Sequence, residues 1–147
     1  VFKSPNELIH LLMDIVAKGG NLALNVAPGP DGRLPRGAIE NMNAMGAWLA
    51  KNGEAVYGTR PTPPFRKDAW AFTAKGGAVY ATRLWGDKQY GIRFHACPAA
   101  NADKVKKVVH LATGKELPFK VVKGKVTFTT PADIDPDPNA EVFKFEM

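Results

Sequence analysis

The sequence contains a single cysteine, Cys97, and no hydrophobic run long enough to cross a membrane. One thiol cannot form an internal disulfide, so packing has to hold the fold. A single cysteine also does not indicate whether the protein works in an oxidising or a reducing compartment. The longest apolar stretch, residues 8–17, is interrupted by His10 and Asp14 and falls short of the ~20 apolar residues that span a bilayer. We therefore expect no membrane span.

A start methionine and a targeting signal are also missing. Residue 1 is Val, and no basic-then-apolar segment precedes the first predicted helix. We expect that the mature N-terminus of the full protein is not represented in these 147 residues.

Aromatic residues are absent from the one tight basic group, Lys104, Lys106 and Lys107, which sits among valines. The net charge is +6, and most of the excess follows residue 60. Nucleic-acid patches commonly combine such a charge cluster with interleaved aromatic side chains. We favour a solvated strand face over a nucleic-acid patch, and we expect no nucleic-acid partner.

Residues 4–7, Ser-Pro-Asn-Glu, are typical of a helix start, with a hydroxyl at the N-cap and proline in the first turn. An apolar stripe follows at helical spacing and comprises Leu8, Leu11, Leu12 and Ile15, with Ile9 and Val16 widening it. Residues 18–20, Lys-Gly-Gly, predict the helix end. The broad apolar face predicts burial against a sheet.

Residues 21–26 are short and largely apolar on both alternate faces, which predicts a parallel strand covered on two sides. A second helix is predicted over residues 37–51, with Gly53 as a left-handed stop. Its predicted apolar stripe comprises Ile39, Met42, Met45 and Leu49. A single parallel strand has no ladder partner, so the first 60 residues are expected to be part of a larger fold.

Three prolines, Pro61, Pro63 and Pro64, predict a linker over residues 61–68. Short β-branched and aromatic segments follow and predict seven strands of a sandwich or barrel. The predicted strands are residues 69–74, 78–85, 89–96, 105–112, 117–122, 125–130 and 140–146. The segments 125–129 and 141–146 alternate, which predicts one buried and one solvated face. The acidic residues 133–138 predict a loop.

The segment 19–28, Gly-Gly-Asn-Leu-Ala-Leu-Asn-Val-Ala-Pro, followed by Pro-Asp-Gly at 30–32, resembles the last-strand region of family 29 α-L-fucosidases. The resemblance extends upstream through residues 8–18 and downstream through Trp-Leu at 48–49 and residues 52–61. Ala27 departs from the pattern, because the family usually has Gly there, which concerns only the tightness of that turn.

The resemblance implies an α/β fragment, the last helix-strand-helix of a TIM-like (β/α)8 barrel in residues 1–60, followed by an all-β antiparallel sandwich in residues 69–147. It further implies a retaining hydrolase that releases terminal α-linked L-fucose from glycans, with an Asp nucleophile and a Glu or other group as acid/base. Both catalytic groups are expected upstream, so no catalytic residue is assigned here. Expected partners are the fucosylated substrate and the missing N-terminal barrel portion, and homo-oligomers stay open. The family implies a secreted, periplasmic or lysosomal location, and the residues themselves imply no cofactor.

Two residues near the predicted strand are candidates for the substrate pocket. Asp31 follows the strand, where barrel enzymes place catalytic groups, but Pro-Asp-Gly is turn chemistry and we favour the turn. Asn25 ends the strand and either contacts a sugar hydroxyl or braces a neighbouring loop, and we favour bracing. It is the one residue of this chain that we expect near the substrate.

Other reactive or aromatic residues favour structural roles. His10, His95 and His110 lack close ligand spacing, so no metal site is predicted, and Cys97 is interpreted as a passive thiol. Four aromatic residues at strand spacing, favoured as core, provide an alternative sugar-stacking platform for a stand-alone carbohydrate-binding or scaffolding module. They are Trp70, Tyr80, Trp85 and Tyr90.

Overall fold

The computed structural model describes residues 3–25, 27–85 and 91–147. The helices in these ranges are α1 (Pro5–Ala17) and α2 (Arg36–Asn52), with short 3₁₀-helices at Gly53–Ala55 and Ala102–Lys104. The strands are β1 (Arg60–Lys67), β2 (Trp70–Lys75), β3 (Ala78–Leu84), β4 (Phe94–Cys97), β5 (Lys107–His110), β6 (Lys115–Leu117), β7 (Phe119–Val122), β8 (Lys125–Thr129) and β9 (Ala140–Glu146). Neither described helix combines the length and apolar character of a membrane span.

Local signals at both ends of α1 produce the predicted helix. The Ser4 Oγ accepts a hydrogen bond of 3.2 Å from the backbone N–H of Glu7, which satisfies one of the free donors at the helix start. At the other end, Gly19 adopts φ 86°, and the Gly20 N–H donates to the carbonyl oxygen of Ile15 at 2.9 Å. The predicted start and stop of this helix are confirmed.

The buried face of α1 agrees with the predicted stripe in part, because Leu8 and Ile9 are both buried. The side chains that are fully buried are Ile9, Met13 and Ala17. Leu11 and Ile15, two members of the predicted stripe, are only half-buried. The sheet covers one side of α1, so the rest of its apolar surface lies at the edge of the core.

The strand predicted at residues 21–26 is not formed over the described residues 21–25, and its pairing with segments outside this chain stays a prediction. Residues 21–25 have no regular secondary structure, Leu22 is half-buried, and Leu24 is 43% exposed; residue 26 lies outside the described residues. A strand requires neighbours to complete its backbone hydrogen bonds, and no described strand lies beside this segment.

Helix α2 agrees with its predicted bounds within one residue and buries part of its predicted stripe, since Met45 is buried and Leu49 packs against the core. Trp48 is 2% exposed, and its Nε1 donates a 3.0 Å hydrogen bond to the carbonyl oxygen of Ala140, which joins α2 to β9. Ile39 and Met42, predicted to be in the buried stripe, are 42% and 43% exposed. Apolar surface on α2 therefore remains open.

Gly53 does not form the predicted left-handed stop. Its φ is −60°, a right-handed helical value, and the chain continues into the 3₁₀-helix Gly53–Ala55. The N–H groups of Val56 and Tyr57 both donate to the Gly53 carbonyl oxygen at 2.9 Å. The helix tightens here instead of reversing, so a positive φ is not needed.

The predicted Pro-rich linker over residues 61–68 is mostly part of strand β1. β1 is the edge of the six-stranded sheet, and its pairing with β2 is irregular between Pro61 and Arg66. Proline lacks an N–H and is tolerated on an edge strand beside a bulge. The division of the chain into two domains stays a prediction.

The strands form two antiparallel sheets that share a core. The larger sheet has the order β1-β2-β3-β9-β5-β6, and the smaller has the order β4-β8-β7. One core lies between the sheets and contains Phe72, Phe128, Phe143 and Phe145. The other face of the larger sheet packs against α1 and α2 through Tyr80 and other side chains. The central strands are therefore covered on both faces.

The predicted strand positions agree with the structure where turns separate them clearly. β2, β3, β8 and β9 lie within one residue of the predicted bounds, whereas β4 and β5 are shorter than predicted. The predicted strand 117–122 is divided at Pro118 into β6 and β7, which belong to different sheets. Residues 89 and 90 of the third predicted strand lie outside the described residues, and the predicted loop at 133–138 contains no strand.

Candidate functional site

A groove lies where α1 and α2 meet residues 24, 25 and 27. Its volume is about 410 Å³. Its lining residues are Lys3, Leu8, Leu24, Asn25, Ala27, Pro35, Ala38, Asn41, Met42 and Met45. The Asn41 Nδ2 donates a 2.7 Å hydrogen bond to the carbonyl oxygen of Lys3, which links α2 to the residue before the α1 cap. The groove is thus mainly apolar, with amide groups at its rim.

Asn25, the predicted substrate contact, lies in this groove beside Leu24. Its side chain is exposed and therefore accessible to a ligand or to another segment of protein. Whether Asn25 contacts a sugar or braces a loop stays a prediction.

Asp31 has the predicted turn role. Its Oδ1 accepts a 3.0 Å hydrogen bond from the Arg33 N–H, and Gly32 adopts φ 78°. The Gly29 N–H donates to the Arg33 carbonyl oxygen at 2.7 Å and closes the loop. The carboxylate is occupied by its own turn, as in other Asp-Gly turns.

The three histidines lie in different surroundings. The His10 Nε2 lies 2.8 Å from the carbonyl oxygen of Asn139, and burial lowers the pKa of His10. His95 lies among aromatic rings, and burial lowers its pKa to about 4. His110 lies 3.3 Å from Glu141. Within ranges 3–25, 27–85 and 91–147, no three His, Cys, Asp or Glu side chains are grouped as a metal site requires.

The favoured core role of the aromatic residues is confirmed, and the alternative sugar-stacking platform is contradicted, for the residues that the structure describes. Trp70, Tyr80 and Trp85 are 3%, 1% and 1% exposed, so their rings belong to the core, as our favoured interpretation has it. Tyr90 lies outside the described residues. Cys97 is fully buried, and burial raises the pKa of its thiol, which agrees with a passive role.

Two polar contacts that the sequence did not indicate hold the sheet to its surroundings. The Glu54 Oε2 accepts a 2.6 Å hydrogen bond from the Tyr80 hydroxyl and lies 2.8 Å from the Lys144 Nζ. Both partners, and chiefly the hydrogen bond from Lys144, lower the pKa of Glu54. This carboxylate connects the segment after α2 to the six-stranded sheet.

The second contact is the buried pair His110 and Glu141. The Glu141 Oε1 also accepts a 2.8 Å hydrogen bond from the backbone N–H of Asp137, which fixes the acidic loop before β9. In the sequence, Glu141 is in phase with Phe143 and Phe145, so a carboxylate shares the apolar face of β9. This position of a carboxylate among apolar residues is the sequence signal that Glu141 is buried and needs a polar partner.

Several known proteins are similar to this chain in sequence. The family model described as Alpha-L-fucosidase matches residues 1–54. The tissue α-L-fucosidase of Bos taurus is 37% identical over 119 residues, which cover 79% of this chain and 24% of that protein. The plasma α-L-fucosidase of Rattus norvegicus is 45% identical over 53 residues, which cover 36% of this chain and 12% of that protein.

A solved structure extends the match to almost the whole chain. The α-fucosidase of Thermotoga maritima, in complex with a mechanism-based inhibitor, is 28% identical and superposes with a TM-score of 0.84. The match covers 99% of this chain and 35% of that one. This chain therefore spans about a quarter or less of these curated relatives and about a third of the solved structure. In both sequence and fold, this chain is therefore similar to a part of the α-L-fucosidases.

Proposed function

We propose that this chain is the C-terminal part of a retaining α-L-fucosidase, which hydrolyses terminal α-linked L-fucose from glycans. The observation that carries the proposal is the match of 99% of the chain to about a third of a fucosidase structure, with a TM-score of 0.84. In this proposal the helices are the end of a (β/α)8 barrel, and the two sheets are a C-terminal β-sandwich.

The retaining mechanism requires two carboxyl groups about 5–5.5 Å apart, one to attack the anomeric carbon and one to protonate the departing oxygen. We expect both groups upstream of this chain. Several acidic side chains of this chain are engaged in contacts that hold the fold together, which supports an upstream position of the catalytic pair. Asp31 closes a turn, Glu54 joins two parts of the fold, and Glu141 pairs with a histidine.

The proposed partner of this chain is the remainder of the barrel. Four large apolar side chains on α2 and the segment before it are each more than two-fifths exposed, namely Leu24, Leu34, Ile39 and Met42. Water-exposed apolar surface of this extent is typical of an interface. The unpaired segment 21–25 lies beside it and is proposed to complete its backbone hydrogen bonds with barrel strands.

Asn25 is proposed to lie close to the substrate pocket, because barrel enzymes build their sites at the carboxyl ends of strands. In the complete enzyme, Asn25→Ala should raise KM or lower kcat for an aryl α-L-fucoside, whereas Asn43→Ala on the exposed part of α2 should leave both unchanged. Equal kinetics for both variants would remove Asn25 from the site.

The activity is tested by comparing the isolated 147-residue chain with the complete protein on an aryl α-L-fucoside. We expect that the complete protein hydrolyses the substrate and that the isolated chain does not. NMR of the first product should show the α-anomer of fucose. Hydrolysis by the isolated chain would contradict the upstream position of the catalytic pair, and a β-anomer would contradict retention.

The barrel interface is tested by Met42→Asp in the complete protein. A charge at a buried apolar contact should cause loss of activity and of solubility, because the carboxylate loses its hydration. Val122→Asp is the matched control, since Val122 is 48% exposed on β7 in the smaller sheet. Equal behaviour of the two variants would contradict the proposed interface.

Location and partners complete the proposal. We propose a secreted, periplasmic or lysosomal protein, supported by the relative named a plasma α-L-fucosidase. No nucleic-acid partner is proposed, and the contacts of Lys107 with Glu116 and Glu146, at 4.0 and 3.6 Å, support a solvated strand face.

A further inference from the structure

A polar cavity of about 430 Å³ lies beside β4, far along the chain from the Asn25 groove. β4 is the outer strand of the three-stranded sheet, and the cavity separates it from the turn between β1 and β2. The lining residues are Asp68, Ala69, Trp70, Arg83, Phe94, His95 and Ala96. None of them lines the Asn25 groove. An outer strand also leaves backbone donors and acceptors free on one side.

Arg83 forms the polar wall of this cavity. Its guanidinium carbon lies 5.7 Å from the Trp70 ring centroid and 5.3 Å from that of Trp85, and both indoles are buried. Two fixed rings hold the planar guanidinium in place and leave its N–H groups as oriented donors. In the described part of the chain, Arg83 belongs to no ion pair.

Asp68 supplies the complementary acceptor. Asp68 lines the same cavity as Arg83, so a carboxylate and a guanidinium of opposite charge border one space. With His95 neutral, the described lining residues carry one positive and one negative charge and no net charge. A cavity of this kind favours a neutral ligand with both hydroxyl donors and acceptors over a free anion.

Phe94 supplies an apolar surface beside the two charged groups. Its ring is 61% exposed, because β4 alternates and directs His95 into the core instead. Core packing therefore does not explain an aromatic residue at this position. An exposed ring next to a few convergent polar groups is typical of a small-molecule site, and a flat ring suits the C–H face of a sugar.

We propose that this cavity binds a neutral saccharide unit, with Phe94 stacking on the sugar ring and Arg83 and Asp68 bonding its hydroxyls. The site needs no bond cleavage and goes beyond the proposed fucosidase activity. It differs from the aromatic platform expected from the sequence, because the tryptophans support Arg83 from the core instead of contacting the sugar.

The test is a titration of the complete protein with lactose and N-acetylglucosamine as neutral probes and with glucuronic acid as the acidic probe. Saturation-transfer NMR and tryptophan fluorescence report binding, since Trp70 and Trp85 flank Arg83. We expect saturable binding of a neutral probe at millimolar concentration and weaker binding of glucuronic acid. No binding of either neutral probe, or preference for the acid, would overturn the proposal.

Two variants connect binding to the cavity. Phe94→Ala should weaken binding roughly tenfold without changing the melting temperature, since the ring is exposed. Tyr57→Ala is the matched control, because Tyr57 is also 61% exposed but lies outside the cavity. Equal affinity of the Phe94→Ala variant and wild type would place the sugar elsewhere and overturn the proposal.

Asp68→Asn tests the charge balance. Asp68 has φ 55°, and Asn tolerates this left-handed conformation, so the backbone should be preserved. Removal of the carboxylate should increase the affinity for glucuronic acid relative to lactose, and an unchanged ratio would contradict the role of Asp68. Aryl α-L-fucoside hydrolysis is measured in the same proteins, so failure of the fucosidase proposal is seen separately from failure of lactose binding.

Discussion

The Tyr80 hydroxyl donates a 2.6 Å hydrogen bond to Glu54, the residue that also lies 2.8 Å from Lys144. Tyr80 and Lys144 are register partners on β3 and β9, the two central strands of the larger sheet. Glu54 lies in the 3₁₀-helix that follows α2. One carboxylate thus fixes the end of the helical part to the middle of the sheet.

Glu54→Gln should lower the free energy of unfolding by about 1 kcal/mol at pH 7, because charge-assisted hydrogen bonds are lost at a partly exposed site where solvent screens them. The folded-state pKa of Glu54 lies below its ordinary value of 4.5. Its contribution is therefore present above that pH and is lost as the pH falls through the lowered pKa. Chemical denaturation at pH 7 and pH 3 measures both effects, and the difference between wild type and variant should shrink at pH 3.

Glu40→Gln is the control for this prediction. Glu40 pairs with Arg36 at 2.9 Å on α2, and both side chains are largely exposed, at 61% and 93%. Exposed pairs of this type contribute little to stability. A similar loss in both variants would show that Glu54 has no special role.

His95 should make the protein sensitive to mild acid. Burial among aromatic rings lowers its folded-state pKa from 6.5 to about 4, so the folded state favours the neutral ring. Below pH 6.5, His95 binds a proton in the unfolded chain but stays neutral in the folded chain. The free energy of unfolding therefore falls until the pH reaches the folded-state pKa of His95. We expect about 2–3 kcal/mol of loss from His95 between pH 7 and pH 4.

The variant His95→Phe should flatten this part of the pH profile, whatever its stability at pH 7. Phe128→Leu is the packing control, since it changes a ring 5.3 Å from His95 and keeps the titrating group. Urea denaturation at several pH values measures the slopes. A steep slope that survives in His95→Phe would assign the acid sensitivity to other groups.

Features set by near neighbours in the sequence could be predicted, and features set by distant contacts could not. The Ser4 cap and the Asp31 turn depend on residues at most three positions away, and the structure confirms both. The segment 21–25 has the pattern of a buried strand, but a strand exists only where a ladder partner lies beside it.

Burial on β9 was mispredicted for the same reason. The alternation over residues 141–146 predicted one solvated face, but β9 is a central strand, with helices on one side and the smaller sheet on the other. The candidate site shows the same limit: Asn25 could be selected by position, whereas the cavity at Arg83 and Phe94 depends on how β2 and β3 of one sheet lie beside β4 of the other.

Cys97 should be unreactive in the folded protein. The side chain is fully buried, and burial raises the pKa of the thiol, so the nucleophilic thiolate is both scarce and inaccessible at pH 8. A colorimetric disulfide reagent should detect close to no thiol in the native protein and one thiol per chain in guanidinium chloride. Fast reaction in the native state would contradict the burial of Cys97 in the core between the sheets.

Two glycine-to-alanine variants should have opposite effects on stability. Gly46 is exposed within α2, and a Cβ there would meet no atom within 4 Å, so Gly46→Ala should add about 0.5–1 kcal/mol by restricting the unfolded chain.

Gly32 also has open space around it but adopts φ 78° in the Asp31 turn. Alanine is strained in that conformation, so Gly32→Ala should cost about 1 kcal/mol despite the free volume. Neither substitution makes a steric contact, so the sign of each stability change reports the effect of backbone conformation alone. Thermal melting of both variants measures the two stability changes. A stabilising Gly32→Ala would mean that the turn can adopt negative φ, and the Asp31 contact with Arg33 should then be lost.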